Sequence, residues 1–477
     1  MSFISLTFAA FFIVFIALYH VAARLGKNAA PIQQALLLMA SLVFYAFADL
    51  SFLPFLLYII VVSYIAGRGP GNRPLFVLFI VAELLPLLFF KYSPHGWRGS
   101  LIFPLGLSFF TFQGISYVAD CHTRKITAER NIIPVALFIS FFPVISSGPI
   151  QRADKLIPQL KSPHRFDYDD ATGGMKLFAW GMFKKLCVAD RIAVYVNAVY
   201  GDAGNSHGLA LLLASVLYSF QIYCDFSGYS DMATGVARYM GFDVGRNFDH
   251  PYLSQSVGEF WRRWHISLSS WLRDYVYIPL GGSRVALPRI YLNLMVTFLV
   301  SGLWHGAGWH FVAWGMLHGF YLCMGRLLKP RLEKMNVSPA FRIAVSFCLI
   351  SFAWIFFRAE NLGQALLVCR KLADIPVEAV QFPGLCSLYG FREALRSSFC
   401  FSCYDKHGGF WDVLRLLCFL ILFCAVSIST RKTSGLEIIR KKTLPVRFVL
   451  YGVICSLVLY DAPSLVNSNT DFLYFAF

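Results

Sequence analysis

Residues Phe260–Asp274 read FWRRWHISLSSWLRD, and the chain returns to the same mixture at Ser301–Gly319, SGLWHGAGWHFVAWGMLHG. Between them runs YIPLGG, Tyr277–Gly282. Aromatic and aliphatic side chains dominate both stretches, yet they carry His265, His305, His310 and His318 together with Arg262, Arg263 and Arg273. Ionisable groups are costly in an apolar setting, so they mark function by default. The rest of the chain reads as a frame that holds this stretch at a chosen depth.

Of 477 residues, 57% are hydrophobic, 17% aromatic and only 14% charged, where soluble domains carry about 25% charged residues. The fold class that follows is an all-α polytopic membrane protein, with the lipid bilayer as its solvent. A net charge of +16 would point a soluble chain toward nucleic acid. Here the Lys and Arg collect in short loops, as the positive-inside rule requires, and no nucleic-acid partner is expected. Met1–Leu18 lacks a basic n-region and an A-x-A site, so it reads as a first span rather than a cleaved leader. Of the 12 Cys, most lie in apolar runs and behave as small hydrophobes.

Apolar runs suited to spans of about 20 residues fall near 3–23, 33–49, 51–67, 74–91 and 101–119. Basic clusters at Arg24 and Lys27, Arg68 and Arg73, and Arg124 to Arg130 lie at alternate ends. They place the N-terminus outside and these loops in the cytoplasm. The run 132–148, with Pro134, Pro143 and Gly148-Pro149, reads as a re-entrant hairpin, a break tolerated only where protein or a cavity covers it. A half-buried helix is expected over about 175–200, with Lys184 and Lys185 near its middle. Spans near 209–226, 288–304, 308–328, 341–357, 411–430 and 446–460 complete the set, and the basic block Arg431–Lys442 sends the tail Asp461–Phe477 outside. The least apolar region, 361–410, is expected outside and holds Cys386, Cys400 and Cys403, of which two could form a disulfide. The chain 1–477 reads as a single membrane-embedded domain, with core motifs at 101–328 and C-terminal spans and tail at 341–477.

Four His in about 55 residues hold no HExxH pattern, and no Cys or acid joins the two-turn pair His310 and His318, so no metal site is expected. No P-loop, dinucleotide fingerprint or GxSxG elbow occurs. What remains is a histidine base. His305 ends an apolar run that starts at Pro288, which as a helix places it roughly 25 Å from the cytoplasmic edge. A buried neutral imidazole there can take a proton from a hydroxyl. Arg262, Arg263 and Arg273 would suit a phosphate-bearing donor, although on charge alone positive-inside anchoring is the favoured reading. Asp225 and Asp231 could bind a cation, but partners for nearby Arg and Tyr groups are the favoured reading.

These two stretches, with LGLSFFTFQGISYVAD (Leu105–Asp120), FFPVISSGPIQR (Phe141–Arg152) and YSFQIYCDFSGYSDMATGVARYMGF (Tyr218–Phe242), resemble the membrane-bound O-acyltransferase superfamily. The match lies in its bacterial branch, the alginate and peptidoglycan O-acetylase membrane subunits. The resemblance implies a ring of tilted helices with re-entrant segments around a central tunnel, in a bacterial inner membrane. It makes His305 the catalytic histidine and His265 a second site histidine, at a position where many animal members carry Asn. Trp304, Arg262, Arg263 and Arg273 are candidates for donor and substrate binding beside them. No bound cofactor is implied. Acetyl-CoA would be the acyl donor, and the acceptor an exported polysaccharide or a periplasmic SGNH-like transferase. The ending FLYFAF (Phe472–Phe477) is similar to an aromatic C-terminal motif of such export systems, which makes Tyr474 a possible acyl carrier; Ala476 departs from the usual pattern, and an interfacial aromatic anchor explains the motif equally. The rival readings are D-alanyl transfer to teichoic acid and, from another class, a transporter or channel.

Overall fold

A computed structural model describes residues 1–69, 71–93, 102–335, 337–378, 380, 398–400 and 410–430, with 452, 456 and 457. The span expected at 446–460 is therefore largely outside the described residues, and the basic block 431–442, Cys386, Cys403 and Tyr474 are wholly so.

Every regular element among the described residues is helical. In order these are α1 (Leu6–Ala22), α2 (Ala29–Ala46), α3 (Leu53–Arg68), α4 (Arg73–Tyr92), α5 (Leu107–His122), α6 (Ile132–Ser140), α7 (Ala153–Lys161) and α8 (Tyr168–Phe183). They continue as α9 (Asp190–Gly201), α10 (Gly208–Tyr239), α11 (Val257–Arg263), α12 (Ile266–Leu272), α13 (Leu287–His305), α14 (Trp309–Lys334), α15 (Pro339–Arg358), α16 (Leu362–Ala373) and α17 (Phe410–Ser429). Eight helical stretches among the described residues are long and apolar enough to cross a membrane. Helices close every backbone hydrogen bond internally, which hydrocarbon demands. Short polar caps start several of them: Ser5, Asn72, Ser338 and Asn361 each accept a bond from an amide of the first turn. The chain is a multi-pass membrane protein.

Three boundaries differ from the sequence expectation. The run at 101–119 becomes α5, which starts only at Leu107. Its cap Gly106 has φ +73°, and a Cβ there would collide with the carbonyl oxygen of Ile145, so only glycine fits. The span expected at 209–226 continues to Tyr239, with Asp225 at its centre paired to the buried Lys185. The helix expected at 175–200 begins at Tyr168 and carries a π turn at Lys184–Ala189. The proline-bearing run at 132–148 does break. Helix α6 has nine residues, about 14 Å of rise and too short to cross, and buried turns follow it.

The chain divides into two compact units. Unit one comprises Met1–Gly181, Tyr229–Asn247 and His265–Leu280. Unit two comprises Met182–Gly228, Phe248–Trp264 and Gly281–Phe477. Inside unit two, α13 and α14 approach backbone to backbone. A Cβ on Gly302 would strike the carbonyl of Phe311, and one on Gly315 the carbonyl of Phe298. Small residues permit this close packing where lipid supplies no hydrophobic drive.

Candidate active site

In unit two, α13 ends on His305, which is 6% exposed, and Gly306 releases the chain from the helix. Its ring lies 4.8 Å from that of Trp304, 5.0 Å from Trp314 and 5.0 Å from Phe357, edge to face in each case. Trp314 in turn stacks on Trp354 at 5.9 Å and meets His318 at 4.9 Å. Neutral imidazole at such a place is the form that can accept a proton from a hydroxyl.

The helix face that sequence spacing gives to His310 and His318 splits their environments. His318 is fully buried, and its Nδ1 accepts the indole N–H of Trp261 at 3.2 Å. His310 packs beside Phe311. Trp261 and Trp314 are therefore parts of the site that the motif reading left unassigned. The repeated Trp of FWRRW and WHFVAW was their signal.

In unit one, His265 caps α12 with φ +41°, a left-handed conformation seldom taken by a side-chain-bearing residue. It is 1% exposed and lies parallel to Phe109 at 6.2 Å. Burial drives its pKa down to about 3. The turn is held from several sides. The amide of Ile266 donates to the Asn247 carbonyl, and the Ser267 hydroxyl donates to Asn247 Oδ1 at 2.6 Å. Ser267 Oγ accepts the amide of Ile150. One helical turn on, Trp271 donates its indole N–H to the Phe112 carbonyl and stacks on the Phe112 ring at 3.8 Å. Backbone strain kept by so much support is usually part of a site.

Of the arginines expected to bind donor, Arg263 pairs with Glu259 at 2.7 Å and Arg273 with Asp274 at 2.9 Å. Arg262 is exposed. Arg152, from the motif FFPVISSGPIQR, also reaches Asp274 at 3.0 Å and lies over the Tyr275 ring. Tyr275, whose phenol burial pushes upward, donates to Asp120.

Among the described residues, the partner of Asp225 is a lysine and not the Arg or Tyr expected. It pairs with Lys185 at 2.7 Å, and Lys185 also meets Asp190 at 2.8 Å, all of them buried in unit two. Lys184 donates to Ser227 at 2.9 Å. The π turn brings these consecutive lysines into the protein, and π turns often sit at functional places.

The membrane-bound O-acyltransferase family model matches residues 3–362. The chain is 37% identical to a probable alginate O-acetylase AlgI of Azotobacter vinelandii, over 74% of each protein. It is 35% identical to a peptidoglycan O-acetyltransferase of Helicobacter pylori, over 71% of the chain and 73% of the relative. It is also similar to a teichoic acid D-alanyltransferase of Bacillus subtilis, 28% identical over 63% of the chain and 82% of the relative.

Proposed function

The chain belongs to the membrane-bound O-acyltransferase family, and on that premise we propose that it moves an acetyl group from a cytoplasmic thioester, acetyl-CoA, to a hydroxyl beyond the membrane. The acceptor is an exported polysaccharide of the alginate or peptidoglycan kind, reached directly or through a periplasmic SGNH-like transferase. Moving the acyl group alone avoids carrying a multiply charged donor through hydrocarbon.

The observation that carries this reading is His305, buried at a helix end inside an aromatic cage. His305 takes the proton of the attacking hydroxyl as the oxygen bonds to the thioester carbonyl carbon. The carbon–sulfur bond then breaks, and the imidazolium returns the proton to the thiolate. His265 is the second site histidine, and Trp304, Arg262, Arg263 and Arg273 serve the donor side. Tyr474 holds the acyl group between donor and final acceptor. A phenol is a weak nucleophile at pH 7 and needs the base.

His305→Ala is expected to lower acetyl transfer by about 10²–10⁴ while leaving the protein inserted in the membrane. Wild-type acetylation at matched expression rules the assignment out. Tyr474→Phe removes only a hydroxyl, so a carrier role predicts loss of transfer to the polymer and an anchor role predicts full activity. Labelled D-alanine appearing on the acceptor in place of labelled acetate would reassign the acyl group.

A further inference from the structure

A cavity of about 490 Å³, half polar and half apolar in its lining, opens in unit one, lined by Gln34, Thr127, Glu129, Arg130, Asn131 and Lys161 among others. Its volume lies within the range of about 300–1,000 Å³ typical of small-molecule sites. The acyl-transfer chemistry above uses none of these residues.

The wall is built rather than incidental. The amide of Glu129 donates to the Tyr117 hydroxyl at 2.9 Å, and the Tyr64 hydroxyl donates to the Arg130 carbonyl at 2.7 Å. Two helices, α5 and α3, thus fix the loop that presents the charged side chains. Lys161 occupies Oε1 of Glu129, and Oε2 has no hydrogen-bond partner among the described residues. The guanidinium of Arg130 is exposed and pairs with no acid among the described residues. Asn131 spends its Oδ1 on the Ile133 amide, which leaves its Nδ2 as a donor.

The cavity lies at helix ends. Gln34 is in the second turn of α2, Asn131 caps α6 and Lys161 closes α7. The basic loop Arg124–Arg130 runs beside it. Ile32 and Ile132, neighbours of lining residues, are 36% and 39% exposed. Cationic and amide donors, a carboxylate oxygen without a partner among the described residues and apolar flanks near the start of the membrane-length helix α2 form one recognisable set. Basic pockets beside membrane helices can take lipid head groups.

We propose that this cavity binds the head group of a phosphatidylethanolamine. Its phosphodiester lies against Arg130 and the amides of Asn131 and Gln34, its primary ammonium donates to Oε2 of Glu129, and its acyl chains run past Ile32 and Ile132. A phosphocholine head group carries no N–H and cannot make the Glu129 bond.

Full-length protein, delipidated in detergent, would be titrated with phosphatidylethanolamine, with phosphatidylcholine of the same chains, and with soluble phosphoethanolamine. Retained lipid is read by native mass spectrometry and stabilisation by the melting midpoint. The expected result is retention and a raised midpoint with phosphatidylethanolamine alone. Arg130→Ala and Glu129→Gln should each weaken retention about tenfold, the worth of one charge-assisted hydrogen bond, with lipid-free melting unchanged. Equal retention of the two lipids, or wild-type retention by both variants, overturns the proposal. Equal stabilisation by soluble phosphoethanolamine overturns the assignment to a lipid.

Discussion

The indole of Trp261 donates to Nδ1 of His318 at 3.2 Å, joining α11 to α14 through two buried side chains. The bond fixes the imidazole tautomer: with Nδ1 accepting, the proton of the neutral ring sits on Nε2. Trp261→Phe keeps most of the apolar area and leaves His318 with a buried acceptor unpaired, at a cost of about 1–3 kcal/mol. The melting midpoint in detergent should fall accordingly. A midpoint equal to wild type would show that the bond is idle.

Lys185 stands between Asp190 and Asp225, and the three share one buried cluster. Lys185→Met strands two acids in the interior and is expected to cost roughly 3–5 kcal/mol. Lys185→Met combined with Asp225→Asn should recover part of that loss, since the two effects are coupled. Folded yield by size-exclusion chromatography checks both. A single variant that folds as well as the double would contradict the pairing.

His265 gives a pH signature. Its pKa is about 3 when folded and about 6.5 when unfolded. The folded value is depressed, so the stability tied to the neutral ring is fully present above pH 6.5. It drains away as the pH falls toward 3, by up to about 1.4 kcal/mol per unit. His265→Asn cannot titrate. Its melting midpoint should fall less steeply than that of wild type between pH 6.5 and 4, and parallel curves would refute the burial argument.

Gly302 and Gly315 allow α13 and α14 to touch. Gly302→Ala pushes a methyl group into the Phe311 carbonyl and should cost about 1–3 kcal/mol through backbone shifts. Because α13 carries His305, acyl transfer should fall too. Unchanged melting and unchanged transfer together would mean that the helices part freely.

The long apolar runs were readable because membrane length and composition leave few alternatives, and α3, α4 and α15 begin and end within a few residues of expectation. The break after Ser140 was readable from its prolines and glycine. The continuation of α10 past Asp225 was not, because its charge partner Lys185 lies 40 residues away. No local pattern announces a π turn, so the inward reach of Lys184 and Lys185 was hidden as well. The His305 position followed from its motif, whereas the Trp314 and Phe357 rings around it arrive from two other helices.

The positive φ of His265 reaches beyond its own ring. Left-handed backbone is open to glycine and tolerable for Asn, Asp and His, while β-branched residues are shut out by their own Cβ substituents. The favoured alphabet at this position is thus four letters long before any chemistry is asked of it, even though Arg124 shows that other side chains can be held there. Only three of those letters carry a polar side chain, and all three keep a nitrogen or oxygen within two bonds of Cβ. A lineage that exchanges one reaction partner for another can move among them without rebuilding the turn, so the backbone itself channels the ways in which this site can change.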